Sequence, residues 1–261
     1  MHILVCFRPE PNMELLPASA WQENQIPKEL IYLKPGWNCF EESALALALA
    51  LRKASGDAVT LSALTVGSGP WSSFAQTLYA LGFSEVLAVE GENPSFHPHY
   101  TAQAVAAVAE KLGCDAVMLG QQSGLGGSGS VPLLTAENLH WPCVTGVTNL
   151  AWEEGAATVT SSSELGTLVQ RCPDKCVLCV ANAVLTALPV PTLRDKLSLG
   201  RKPVTKIPPD ELGLSEISPA FTLRGLTPIR HDRTGEILSG DPAELARQLL
   251  AFCRGNEEVQ Q

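Results

Sequence analysis

From His2 to Trp141, short apolar runs alternate with segments of helical period, and this alternation is the feature that most restricts the fold. His2 to Phe7 reads as an opening strand, ended by Arg8 and the nearby prolines. Asn38 is a good N-cap for a helix over Cys39 to Lys53, with Glu41 and Glu42 at its positive end and Arg52 and Lys53 at its negative end. Ala58 to Val66 reads as a second strand, Trp71 to Leu81 as a helix stopped by Gly82, and Glu85 to Val89 as a third strand. A helix over Tyr100 to Leu112 and a strand over Ala116 to Leu119 continue the pattern. Strand and helix in strict alternation imply an α/β fold whose sheet is mostly parallel, with helices on both faces.

Past Pro142 the rhythm changes. Cys143 to Asn149, Ala157 to Ser162, Gly166 to Arg171 and Cys176 to Ala183 are strand-like, with no helix between them, which predicts an antiparallel extension at the sheet edge. Residues 187–210 are rich in proline and basic side chains and read as an exposed loop or linker. A helix over Pro242 to Cys253, capped by Asp241, completes a C-terminal arm. The expected division is a nucleotide-binding α/β domain over 1–186 and a recognition loop with the arm over 187–261.

Ligands of open α/β sheets sit at the carboxyl ends of the strands, so Cys6, Val66 and Gly120 should converge on one crevice, with Asn38 and the 121–130 loop on its rim. That loop has a composition suited to phosphate. Gly124, Gly126, Gly127 and Gly129 allow close backbone approach to an anion, Ser128 and Ser130 offer hydroxyls, and the helix that follows presents unpaired N–H groups. Gln122, a polar amide just past a buried strand, belongs to the site.

Several function classes drop out. A net charge of −9 removes the positive footprint of a nucleic-acid binder. The strongest apolar run, Ala44 to Leu51, is too short to span a bilayer, and no basic segment precedes an apolar one at the amino terminus, so the expectation is a cytoplasmic protein without membrane insertion. Cys172, Cys176 and Cys179 have a C-x3-C-x2-C spacing like that of radical S-adenosylmethionine enzymes. The last two lie in an apolar run that reads as a buried strand, where residues three apart point to opposite faces. Reduced thiols are therefore expected, with no metal there or among the scattered histidines. No lysine follows the glycine loop, as it does in a P-loop.

The ordered set of motifs resembles the small (beta) subunit of electron transfer flavoproteins. The residues that carry the resemblance are the opening ILVCFR, Asn38-Cys39-Phe40 followed by Glu42 and Ala44, Gly67, and the Ala80-Leu81-Gly82 turn. They continue with Gly120 and Gln122 leading to Trp141-Pro142, and with Leu188-Pro189 before a basic segment. The resemblance implies a Rossmann-like, adenine-nucleotide-binding fold and a non-catalytic electron-carrier subunit. It implies AMP or FAD as cofactor, with the redox FAD held by a larger alpha-type subunit in a heterodimer. It also implies cofactor contacts at Cys6, Asn38, Cys39, Phe40, Glu41, Val66, Gly120, Gln121, Gln122, Ser123, Gly124, Gly126, Gly127, Ser128, Gly129, Ser130 and Val131. Docking of a flavin dehydrogenase, of the acyl-CoA type or similar, is implied at Leu188, Pro189 and Leu193, with Leu188 as the anchor.

The chain departs from the family pattern in two places. The acids and polar side chains usual in the nucleotide loop are replaced by Leu125 to Val131, leaving backbone donors, and the acidic segment before the recognition loop is replaced by Ala181 to Thr186. This marks a divergent paralogue. Two other readings remain open: a stand-alone adenine-nucleotide-binding protein of the universal-stress-protein type, and a paralogue that has lost nucleotide binding.

Overall fold

The computed structural model describes residues 1–20, 29, 32–67, 69, 71–91, 97–123, 128–182, 188–199, 201–214, 235 and 237–257. The chain divides into two units, Met1–Leu226 and Thr227–Gln261.

The first unit begins with β1 (His2–Cys6). A two-residue β2 (Glu10–Pro11) pairs antiparallel with β3 (Pro35–Gly36) in a small separate sheet. There follow α1 (Cys39–Ser55), β4 (Thr60–Val66), α2 (Ser72–Leu81), β5 (Glu85–Val89), α3 (Pro98–Lys111), β6 (Ala116–Gly120) and α4 (Val131–Leu139). Next come β7 (Cys143–Glu153), β8 (Ala156–Ser163), β9 (Gly166–Arg171), β10 (Cys176–Val180), α5 (Leu193–Ser198) and β11 (Thr205–Ile207). The main sheet has nine strands in the order β11-β5-β4-β1-β6-β10-β7-β8-β9.

β1 lies between β4 and β6, parallel to both, with Cys6 opposite Leu64 and Val5 opposite Met118. Because both faces are covered, alternation of polar and apolar residues is lost along the central strands: all five residues of β10 are buried. Ile3, Val5 and Met118 pack under α1 and α2, while Leu4, Cys6, Val117 and Leu119 pack under α3 and α4. The chain thus winds one way from β1 through β4 to β5, then α3 carries it back across β1 to β6. That reversal is a topological switch point between β1 and β6.

Local sequence accounts for the element ends. The Asn38 side chain accepts from the Phe40 N–H at 2.9 Å, which caps α1. Gly82 takes a left-handed conformation (φ 103°) after α2, and the Phe83 N–H reaches back to the Leu78 carbonyl at 3.0 Å.

The antiparallel edge extension is present but narrower than the sequence suggests. It consists of β8 and β9, each antiparallel to its neighbour, whereas β10 inserts between β6 and β7 and runs parallel to both. β7 joins the parallel and antiparallel parts of this one sheet. Cys143, Val144 and Val147 pair with β10, and from Val147 onward, across an irregularity between Val147 and Asn149, it pairs with β8. Gly146 (φ 66°) sits beside that bulge, where an added Cβ would lie 2.4 Å from the Ser162 carbonyl oxygen.

The stretch read as a loop or linker also differs. Thr192 and Asp195 form a reciprocal capping box that starts α5, and β11 pairs parallel to β5, covering an otherwise open edge. The polar cap and the strand's brevity hide both elements in a proline-rich sequence.

In the second unit, α6 (Pro242–Glu257) begins where the Asp241 carboxylate accepts from the Ala243 N–H at 3.0 Å, the cap expected from sequence. No helix among the described residues is long and apolar enough to cross a membrane.

Candidate functional site

A cavity of about 120 Å³ opens at the carboxyl ends of the central strands, at the switch point. Cys6, Phe7 and Arg8 form one wall at the end of β1; Leu64 and Val66 follow from β4; Leu119 and Gly120 close it at the end of β6. Two helix amino ends face it, that of α3 through His97, Pro98 and Thr101 and that of α4 through Val131 and Pro132.

The α4 end has donors suited to an anion. Ser128 and Ser130 hydroxyls lie 2.7 Å apart, and the Ser130 side chain makes no capping bond to its helix; because Pro132 has no N–H, the first-turn donors are the Val131 and Leu133 N–H groups. Gly129 (φ 66°) draws the loop tight against the Gln121 carbonyl oxygen, which would stand 3.1 Å from an added Cβ. Gln121 is itself held by its N–H bond to the Val180 carbonyl at 2.8 Å.

Glu41 enters from α1. A Cβ on Gly120 would lie 2.9 Å from the Glu41 nitrogen and from Phe40 Cβ, so only glycine lets the start of α1 press onto the end of β6. The contact delivers the Glu41 carboxyl into the cavity, where Oε2 accepts from the Arg8 N–H at 2.6 Å. Burial pushes this carboxyl up to about 8; the Arg8 N–H bond opposes the rise, the nearby Glu10 charge adds to it, and the Arg8 guanidinium opposes it. At neutral pH the group is therefore protonated and able to donate a hydrogen bond. Cys6, beside it, is also pushed well up, by burial first and then by the Glu41 charge. It is no nucleophile at neutral pH.

Of the residues expected from sequence, Cys6, Glu41, Val66, Gly120, Gln121, Gln122, Ser123, Ser128, Gly129 and Val131 line this one cavity. Ser130 adjoins it through Ser128. Asn38, Cys39 and Phe40 do not line it. The Asn38 amide is committed to the α1 cap and to Glu10, whose Oε2 accepts from Nδ2 at 3.1 Å. Cys39 is exposed, and Phe40 packs behind Gly120. Gly124, Gly126 and Gly127 lie outside the described residues.

Sequence reasoning missed the wall formed by His97, Pro98 and Thr101. The signal was available: Pro98 at the first turn marks the start of the helix that follows β5, whose carboxyl end the same rule that located Val66 places at the crevice.

Leu188 is only 8% exposed and belongs to the core of its own chain, with its N–H donating to the Glu42 carboxylate at 3.1 Å. The most exposed large apolar side chains of this segment among the described residues are Val190, 88% exposed, and Leu193, 74% exposed, beside the exposed Pro189; Leu197 and Leu199 are exposed too. Among the described residues, no three His, Cys, Asp or Glu side chains form a group that could hold a metal ion.

A doubly wound parallel sheet with an anion-competent helix terminus at its switch point defines a Rossmann-like α/β protein. Residues 37–212 match the family model of the Electron transfer flavoprotein domain. The chain is 30% identical over 210 residues to the Putative electron transfer flavoprotein subunit YgcR of Escherichia coli (strain K12), covering 79% of this chain and 81% of that protein. It is 26% identical over 228 residues to the Electron transfer flavoprotein subunit beta of Bacillus subtilis (strain 168), covering 85% and 87%. The chain belongs to the electron transfer flavoprotein family, as a divergent member of its beta-subunit branch.

Proposed function

We propose that this chain is the beta-type subunit of a heterodimeric electron transfer flavoprotein, binding the adenylate part of AMP or FAD in the switch-point crevice. The observation that carries the reading is the meeting of the α4 amino end and Glu41 in one cavity at the ends of β1 and β6. The residues fit such a group: Gly120 lets α1 bring Glu41 to the cavity, Gly129 holds the loop against Gln121, and the Ser128–Ser130 hydroxyl pair and the α4 N–H groups would supply donors to phosphate. Protonated Glu41 adds a donor rather than a repelling charge.

Flavin, where bound, supplies one- and two-electron redox chemistry. The chain's own part is to bind, orient and shield, which makes it a carrier subunit rather than a catalyst of bond-making steps. Pro189, Val190 and Leu193 form the apolar tip that would engage a flavin dehydrogenase, as a small hot spot surrounded by weak contacts suits a transient complex. The redox FAD would sit with an alpha-type partner, and a cytoplasmic location accords with this role.

Mass spectrometry of small molecules released from the denatured complex, co-expressed with an alpha-type subunit, tests the reading. AMP, or more than one FAD per heterodimer, is the expected result. A single FAD with no AMP, or a chain that never co-purifies with a flavin-bearing subunit, would refute it.

A further inference from the structure

At the opposite end of β10 from the crevice, the Cys172 and Cys176 sulfurs lie 3.4 Å apart, joined by a three-residue turn from β9 into β10. We propose that Cys172 and Cys176 form a reversible oxidation site, closing to an intramolecular disulfide on reaction with a hydroperoxide. The pair is held from both sides. The Cys172 N–H donates to the Ala157 carbonyl at 2.8 Å and the Cys176 N–H to the Asp115 carbonyl at 3.2 Å, so the thiols approach each other from anchored backbone. A disulfide needs about 2.05 Å, a closure that side-chain rotation and a small shift of the turn supply.

The two thiols have different roles. Cys172, 8% exposed, lies at the outer position, while Cys176 is fully buried. A hydrogen bond joins the two thiols, and either sulfur can be its donor. Burial pushes the thiols of Cys6, Cys114, Cys143 and Cys179 up. Cys172, the outer of the two, is the attacking sulfur and the fully buried Cys176 the resolving one.

The Cys172 thiolate attacks one oxygen of hydrogen peroxide; the S–O bond forms as O–O breaks, and hydroxide leaves to take up a proton as water. The Cys176 sulfur then attacks the sulfenic sulfur, the S–O bond breaks and a second water leaves. Two thiols lose two electrons and two protons, and peroxide is reduced to two waters. The bridge would pin the antiparallel extension to the parallel core. The site is independent of the nucleotide crevice.

The test is peptide mapping of the full chain after exposure to hydrogen peroxide, with remaining thiols blocked in denaturant and trypsin digestion without reduction. Arg171 and Lys175 place cleavage sites before each cysteine. The expected product links the peptide Cys172 to Lys175 to the peptide that begins at Cys176, lighter by two hydrogens than the two together, and separable by dithiothreitol. It should persist in Cys179→Ser and disappear in Cys172→Ser. Recovery of Cys172 and Cys176 as blocked thiols from peroxide-treated wild type overturns the proposal, and so does loss of the link in Cys179→Ser.

Discussion

Replacing Glu41 by Gln should remove a specific pH dependence of stability. In the unfolded chain the carboxyl titrates near 4.5, and in the fold burial raises it to about 8. Between those values the folded state holds a proton that the unfolded state has lost, so unfolding free energy falls as pH rises. Stability from this group is complete below about 4.5, declines through neutral pH and is fully lost above about 8. Across that window the ceiling is ~5 kcal/mol, at about 1.4 kcal/mol per pH unit. The crevice opens to solvent and the Arg8 guanidinium screens the ionised form, so about 2 kcal/mol is the expected share. Urea midpoints of wild type and Glu41→Gln, measured from about pH 5 to pH 9, give the comparison. The variant should gain on wild type steadily as pH rises. Parallel midpoint curves for the two proteins would refute the account of a protonated, buried Glu41. The same reasoning predicts that adenylate affinity falls as pH rises through 8, because an ionised carboxylate repels phosphate.

Gly120→Ala should cost about 1–3 kcal/mol in urea unfolding and weaken adenylate binding, because its Cβ would meet the Glu41 nitrogen at 2.9 Å. Gly146→Ala should cost ~3 kcal/mol or prevent folding, since it combines a positive φ with a 2.4 Å approach to the Ser162 carbonyl oxygen; circular dichroism melts would show it. Asn38→Ala should cost about 1–2 kcal/mol in the same unfolding assay through the lost α1 cap, and leave adenylate affinity within about twofold, since its amide serves the cap and Glu10 rather than the crevice.

The strand and helix alternation was readable because each element of the first half carries its own period and its own stop signal, as at Asn38 and Gly82. The insertion of β10 between β6 and β7 was not. KCVLCV announces a buried strand, but which neighbours it takes is decided by pairing with Ala116 to Gly120 on one side and Cys143 to Val147 on the other, far away in sequence. The segment after Pro189 was misread for a different reason: a one-turn capping box and a three-residue strand leave too few residues for a period to show. Leu188 looked like an exposed anchor because sequence reveals apolarity but not the side of the backbone to which it points.

The crevice itself was legible by rule rather than by residue identity, and this bears on how so divergent a chain keeps a site. The donors it would offer a phosphate on the proposed reading are peptide N–H groups at the α4 end, beside the β6 strand end and Gly129. Such donors survive substitution of the side chains around them. What does depend on identity is narrow: a residue without Cβ at Gly120, so that α1 can approach, and a side chain at position 41 whose charge the cavity suppresses. On the proposed reading the loop sequence could drift without loss of these donors, but a bulky residue at position 120 would displace α1, Glu41 and the β6 end together.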